Sequence, residues 1–477
     1  MKHFRPFLLA VLLLVPVGCV KDVIGLYDTT YYGNVFAYNL MKTYYLWEAE
    51  VADGFSSWTY SEDPFQKVES MRYKNGDLED KWTRLYDDCS GFIGTVTGSK
   101  LSLGFDFGLY YANASHSRVC AVVRYTYADS PASGAGLKRG DIILTLDGKE
   151  MTPDNYKTLV NEKIYGGGTV KLGLNNGNSV TLTAVQQYEN PVQTALTLQA
   201  EGKKIGYLHF TSFTMDACRD LEETFRRFKA DGIEELVLDL RYNGGGYTVT
   251  SAVLASMLAP LSEVNAGSVF NRDVYNKDLN EYYKDRLETP FAAEYEIDAS
   301  SGSGKYKVHP AQVNPCIKKL WVITTDDTAS ASEALICGLK PYMDVVLVGE
   351  KTYGKFCGGF LIQAEDFFDA LSDEDGIDAE EGKEKLAGWG MYVIASRYAD
   401  KDGVTLSMPN GIPADYEVKD NPREAIPLGD PSETMLAKVL ALSTGTVTKA
   451  PLTAPVLPPA PPVRPAGFGA LLKTLPK

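Results

Sequence analysis

The chain is poor in several things, and each shortage removes a class of function. It holds four histidines in 477 residues, so a His-rich metal site or His-based catalysis would rest on very few positions. It has seven cysteines but no CxxC pair, which argues against structural zinc and thioredoxin-type redox chemistry. Positive charge is in the minority: 47 Lys and Arg stand against 62 Asp and Glu, a net charge of −15. Such a chain repels phosphate backbones, so nucleic acid is disfavoured as a partner. The N-terminal apolar run, residues 7–17, is 11 residues long, too short to cross ~30 Å of hydrocarbon as a helix.

That run does fit a signal peptide. Lys2 and Arg5 precede it, and Gly18 and Cys19 follow it. The segment resembles a bacterial lipoprotein signal, which implies removal of residues 1–18 and lipidation of Cys19. The expected location is then the envelope of a Gram-negative bacterium, periplasmic or at the outer-membrane surface, with a lipid anchor in the membrane. The other cysteines are irregularly spaced and read as buried free thiols, although an oxidising compartment permits a disulfide.

Along the chain the patterning changes three times. Phe36, Leu40, Tyr44 and Trp47 recur at helical spacing, and with a second stretch from Pro64 to Trp82 they predict a small helical domain over 19–99. Residues 100–187 carry alternating runs at 119–125, 142–146 and 170–174, separated by glycine-rich turns, with one helix started at Thr152 and Pro153. Residues 188–445 alternate strands and helices, and the apolar run 236–240 reads as a strand buried on both faces. Two polar insertions are expected, at about 268–312 and 364–386. The second holds nine acidic residues between Glu365 and Glu381 without EF-hand spacing, which points to a solvated loop. Residues 446–477 are Pro-rich and read as a disordered or polyproline-like tail.

Three short segments carry chemistry. Residues 328–333 read Thr-Ala-Ser-Ala-Ser-Glu and join a strand to an apolar helix. A serine there either caps the helix or stands beside main-chain amides that could stabilise an oxyanion. Residues 349–355 read Gly-Glu-Lys-Thr-Tyr-Gly-Lys. This has the outline of a phosphate loop, but Phe356 stands where a magnesium-binding hydroxyl belongs. Residues 239–246 read Asp-Leu-Arg-Tyr-Asn-Gly-Gly-Gly and end the buried strand. They lack the dinucleotide fingerprint and suit a loop of amides that accepts an anion.

In chain order the three segments resemble the C-terminal processing peptidases, the tail-specific serine proteases, with their D-L-R-x-N-x-G-G, S-A-S-E and G-E-x-T-x-G-K motifs. The resemblance implies an α/β catalytic core, ClpP/crotonase-like, with Ser330 as nucleophile and Lys355, 25 residues later, as general base. It implies an oxyanion hole made by Gly245 or Gly246 together with Ala331. Residues 129–143 resemble a PDZ domain, and Leu103, Gly104 and Phe105 resemble the loop that captures a peptide carboxylate. Substrates would be proteins or peptides with free C-terminal tails, and no metal or organic cofactor is implied. A Ser-Lys pair also suits a chain with few histidines. His209, inside a strand, reads as packed. Lysine with its usual pKa of ~10.4 is protonated at neutral pH, so Lys355 needs an apolar setting that lowers it to roughly 7–8. Tyr353, Phe356 and Phe360 are near enough in sequence to contribute. The chain departs from the family at Gly359, where many members carry a Gln that orients the lysine; Gln363 comes later. The expected function is an envelope serine endopeptidase. The alternative is a PDZ-containing peptide-binding lipoprotein that is catalytically weak or inactive.

Overall fold

The computed structural model describes residues 28–473, apart from residue 77 and segments 301–303, 373–375, 405–409 and 447–454. The signal-like segment and Cys19 lie outside the described residues. No helix among the described residues is long and apolar enough to cross a membrane.

One sheet sets the position of everything that follows. Strands Lys203–Phe210, Glu235–Asp239, Lys319–Thr324, Asp344–Gly349 and Tyr416–Glu417 run parallel, and Val192–Ala200 adds antiparallel at the far edge. Every residue of Glu235–Asp239 is buried, as its unbroken apolar run predicts for a strand covered on both faces. Helix Ala217–Asp231 buries Cys218, Leu221, Phe225 and Phe228 on the expected stripe. The three motif segments leave the carboxyl ends of three adjacent parallel strands, after Asp239, Thr324 and Gly349. That end of an open parallel sheet is where ligands bind.

A second sheet stands beside the first. Its long strand Gly390–Ala399 pairs with Cys357–Gln363, Val269–Tyr275 and Arg84–Tyr86. The stretch expected as an insertion from 268 therefore begins with a strand of this sheet. Its pattern of buried and exposed residues is mixed, which is why it read as polar. The acidic stretch from 364 forms helices Ala364–Asp369 and Ala379–Lys385, with Phe367 and Phe368 buried. The expected polar insertion is corrected there, because two adjacent aromatics outweigh the surrounding charge; the acidic run 373–375, read as a solvated loop, lies outside the described residues.

Residues 29–97 are helical in part. Helix Thr29–Tyr44 buries Phe36, Leu40 and Tyr44, and Trp47 is buried just beyond it. After Pro64 the helix ends at Ser70, and the chain continues as short strands Lys74–Asn75, Leu78–Glu79 and Arg84–Tyr86. This segment has no core of its own. Phe36 meets Phe367 and Tyr44 meets Phe360, edge to face, so its apolar face belongs to the same core as both sheets.

The β-rich unit does have its own core. Its strand order is Ser179–Thr183, Thr169–Leu174, Ile142–Leu146, Val119–Thr126, Phe105–Tyr111. The helix here begins at Tyr156 rather than at Thr152 and Pro153; the Thr152 amide instead donates to Asn155 Oδ1 at 2.8 Å, closing a turn before the helix. The six described cysteines are free. Cys89, Cys120, Cys218 and Cys357 are buried as expected, whereas Cys316 is exposed.

The Pro-rich tail is corrected most. Residues 455–473 are docked along the molecule and end in strand Leu471–Leu472, which lies in the second sheet beside Gly246–Tyr247 and Gly359. Proline runs lack N–H groups, but their carbonyls still accept hydrogen bonds, and composition alone does not reveal where they find donors.

A buried ionic lattice locks the β-rich unit to the core. The fully buried Arg241 guanidinium donates to Asp239, Asp420 and Glu433 at 2.7–3.1 Å. Arg139 of the β-rich unit reaches Asp420 at 3.0 Å and the Tyr242 hydroxyl at 2.8 Å. Burial alone would raise the Asp420 carboxyl, but Arg139 and Arg241 hold it at about 2. Replacing Arg241 by Ala removes a cation from three buried carboxylates, of which Asp420 alone keeps a second one, Arg139. We expect Arg241→Ala to lose about 3–5 kcal/mol of unfolding free energy in urea titration; a loss below about 1 kcal/mol would show that the lattice does not hold the fold.

Candidate active site

Ser330 occupies the N-cap of helix Ala331–Leu339 with φ 62° and ψ −111°. A left-handed φ on a residue with a Cβ costs about 1–3 kcal/mol and persists only where neighbours hold it. They do so here from both sides. The Ser330 amide donates to Glu333 Oε2 at 2.8 Å, and its carbonyl accepts from the Ala334 amide at 2.8 Å and the Tyr398 hydroxyl at 3.1 Å. The Ser330 Oγ is buried and has no hydrogen-bond partner among the described residues. The serine is thus held at the helix start by main-chain bonds, with its hydroxyl left over.

Glu333 is the hub. Its carboxylate is fully buried and accepts four bonds. Oε2 takes the amides of Ser330 and Lys355, the latter at 2.9 Å; Oε1 takes the Gly354 amide at 2.7 Å and the Thr352 hydroxyl at 2.5 Å. Burial pushes its carboxyl up, and these donors oppose the shift. The amides of the phosphate-loop-like segment are therefore spent on an internal carboxylate. Tyr398 adds a second tie, with its hydroxyl donating to the carbonyls of Ser330 and Lys355.

Lys355 is fully buried. Its Nζ donates to the Tyr392 hydroxyl at 3.3 Å and lies 5.0 Å from the Trp82 ring centroid and 4.9 Å from that of Tyr392. Burial lowers the amine to about 8, with Cys357, Asp80 and Glu333 pulling weakly the other way. Trp82 comes from the connection between strands Leu78–Glu79 and Arg84–Tyr86, where Asp80 fixes the turn by accepting the amides of Trp82 and Thr83 at 2.9 and 3.0 Å. The aromatic chamber that the lysine needs is thus built by Trp82 and Tyr392, both distant in sequence. At Gly359 a side chain has no room: a Cβ there would lie 2.2 Å from the Val393 carbonyl oxygen. Tyr392 supplies the polar contact instead.

The glycine loop approaches Ser330 closely. A Cβ on Gly245 would lie 2.8 Å from Ser330 Cβ, and one on Gly246 would lie 2.5 Å from the Phe213 carbonyl oxygen. Both glycines have positive φ, 112° and 140°, so neither position accepts another residue without strain. The Gly245 amide is already given to Asn243 Oδ1 at 2.9 Å. The Gly246 amide donates to the Ala470 carbonyl of the tail at 2.9 Å. Of the two expected glycine donors, Gly245 is bound to a side chain of its own loop and Gly246 to a carbonyl of the tail. Ala331 opens the helix, where an amide has no intrahelical acceptor. Asn243 also accepts from the Ala329 amide at 3.0 Å and the Ser332 hydroxyl at 3.1 Å through its carbonyl. Ser332 therefore has a structural role.

Leu103 and Phe105 line a cavity of about 720 Å³ that continues to Gly244, Gly245 and Gly246. The Gly104 amide is taken by the Ser102 hydroxyl at 2.9 Å. His209 packs edge-on against Tyr125, and burial lowers it to about 4, which makes it a neutral core residue at physiological pH.

Reading the sequence for motifs brings Ser330, Lys355, Gly245, Gly246 and Ala331 to one place. It misses Tyr392, Tyr398 and Trp82, for which no local signal exists, and the hub role of Glu333, which did have one: an acid three residues after a candidate N-cap. The Lys355 amine should titrate near 8, read by NMR of isotopically labelled lysine. Tyr392→Phe removes a side-chain acceptor of the ammonium and should move that midpoint lower. An unchanged or raised midpoint would show that Tyr392 does not contact the charged amine.

Residues 204–418 match the model of peptidase family S41. Among curated relatives, the chloroplastic C-terminal processing peptidase of Tetradesmus obliquus is 26% identical over 366 residues, covering 72% of this chain and 66% of that protein. The chloroplastic carboxyl-terminal-processing peptidase 2 of Arabidopsis thaliana is 27% identical over 369 residues, covering 71% and 60%. The chain thus spans a little under two thirds of the length of these relatives. A crystal structure of a candidate S41 protease from Bacteroides fragilis NCTC 9343 superposes with a TM-score of 0.63 at 23% identity, covering 86% of this chain and 97% of that one. That likeness establishes a shared mixed α/β fold. Residues 204–418 of this chain are thus similar to the serine-type peptidases of family S41, and its curated relatives are carboxyl-terminal-processing peptidases.

Proposed function

We propose that the chain is a serine endopeptidase acting through a Ser330–Lys355 dyad on unstructured or C-terminal protein segments. The observation that carries this reading is a lysine buried among aromatics, poised near neutrality, and tied through one carboxylate to a serine with a free hydroxyl. Lys355 in its neutral form takes the Ser330 proton as Oγ attacks a peptide carbonyl. The amides of Gly246 and Ala331 face the oxygen as charge develops on it. The protonated lysine then gives its proton to the leaving amine, and water resolves the acyl-enzyme.

The β-rich unit is read as the PDZ domain that captures a peptide as an added strand. Its support is the order of its strands, the position of Leu103, Gly104 and Phe105 before the edge strand Phe105–Tyr111, and the cavity that joins this loop to the glycine loop. Lipidation at Cys19 and location in a Gram-negative envelope belong to the same proposal and rest on the signal-like sequence alone. A second reading, a peptide binder without turnover, is favoured only by Gly359, where the orienting Gln has no place to stand.

The test compares the protein with its Ser330→Ala and Lys355→Met variants on an unfolded protein, with fragments read by mass spectrometry. Both variants should lose at least about 1,000-fold in kcat. Because the base works unprotonated, activity should rise with pH through about 8. Cleavage that survives Ser330→Ala would reject the dyad, and tail binding without cleavage by the parent would favour the binder.

A further inference from the structure

The carbonyl that meets the Gly246 amide belongs to this chain. Residues 455–473 follow a continuous path through the places where a substrate would lie. Pro459 bridges antiparallel to Tyr110 on the edge strand of the β-rich unit, with the Tyr111 amide donating to the Pro458 carbonyl and the Ala460 amide to the Leu109 carbonyl, both at 2.9 Å. The hydroxyls of Tyr156 and Tyr165, from the helix opposite that strand, donate to the carbonyls of Pro461 and Val463 at 3.0 and 3.1 Å. Ala460 is buried in the core of this unit. The groove between edge strand and helix, the one a captured peptide would enter as a strand, is filled.

The segment then turns to the dyad. Arg464 donates to Asp327, three residues before the nucleophile, at 2.6 Å. Phe468 packs onto Gly244, and Gly469 lies beside the Lys355 side chain. The Ala470 carbonyl oxygen receives the Gly246 amide. The point where a Cβ on Gly245 would stand is 3.1 Å from this oxygen and 2.8 Å from Ser330 Cβ, so carbonyl and nucleophile share one side of the glycine loop. Beyond it, Leu471 and Leu472 pair in the sheet and Lys473 forms an ion pair with Asp273. Completing the sheet accounts for the bond from the Gly246 amide to the Ala470 carbonyl, but not for the groove contacts made by residues 458–463 upstream of it.

We propose that this segment is an intramolecular substrate, cut by Ser330 between Ala470 and Leu471, and that until it is cut it excludes other chains from the groove and the dyad. The proposal rests on the peptidase reading above. Ser330 Oγ bonds to the Ala470 carbonyl carbon while its proton passes to Lys355 Nζ. The C–N bond to Leu471 breaks, and Lys355 returns the proton to the Leu471 nitrogen, which leaves as an amine. Water then adds to the Ala470 ester, freeing Ser330 and leaving Ala470 as a carboxylate.

The experiment follows the full chain and its Ser330→Ala variant by intact-mass and C-terminal peptide mass spectrometry, with an unfolded protein assayed in parallel. The expected result is loss of everything after Ala470 from the parent and retention in the variant. The fraction cut per minute should stay constant over a 100-fold dilution. Ser330-dependent hydrolysis of the unfolded protein by a parent that keeps Leu471 would overturn the proposal and leave the peptidase reading standing. A cut whose rate rises with protein concentration would overturn its intramolecular character. If the parent and an Arg464→Glu variant, which unpairs the segment from Asp327, cut neither the tail nor the unfolded protein, both readings fall.

Discussion

Four hydrogen bonds to one buried carboxylate hold this site together. Glu333 accepts the amides of Ser330, Gly354 and Lys355 and the hydroxyl of Thr352. Bonds to a charged acceptor are worth about 1.5–3 kcal/mol each, and stranding a buried donor costs a comparable amount. These bonds therefore outweigh the strain of a left-handed serine and the cost of burying the acid. They also fix geometry. The nucleophile and the base lie on segments that leave different strands, and Glu333 is the short link between their backbones. Tyr398 repeats that link through the two carbonyls.

The site needs opposite treatment of charge within a small volume. Around Lys355, rings and a phenol stand nearest, so burial is only weakly opposed by Cys357, Asp80 and Glu333 and the amine is lowered. Around Arg241, charge is gathered: three carboxylates surround one guanidinium that also pins the glycine loop. The first arrangement tunes reactivity, and the second supplies rigidity. The second also explains how the β-rich unit is held against the core, since Arg139 and Tyr242 share Asp420 with Arg241.

The parts legible in the sequence are those whose cause is local. The buried strand at 235–239, the helix stripe of Cys218, Leu221, Phe225 and Phe228, and the motif residues Ser330 and Lys355 could be read from spacing or resemblance. The orienting contact to Lys355 could not. Tyr392 lies 37 residues beyond it on another strand, and Trp82 comes from the opposite end of the chain. Neither has a neighbour in sequence that hints at its place. The N-terminal helices were legible as helices, but their lack of a separate core depends on Phe360, Phe367 and Phe368 far downstream. The tail misled for a different reason. Proline content speaks against regular structure formed within the segment, and it carries no information about donors such as Tyr156 and Tyr165 waiting elsewhere.

The central claim is that Glu333 sets the register between nucleophile and base. The most direct measurement is the single-turnover rate on an unfolded protein of the Glu333→Gln variant, at a temperature where near-UV circular dichroism shows it folded. An amide presents N–H groups to two donors that the carboxylate accepted, while leaving size and shape unchanged. The account predicts a rate at least about 100-fold below the parent, consistent with the cost of a small misplacement of reacting groups. A folded variant that turns over at the parental rate would contradict it.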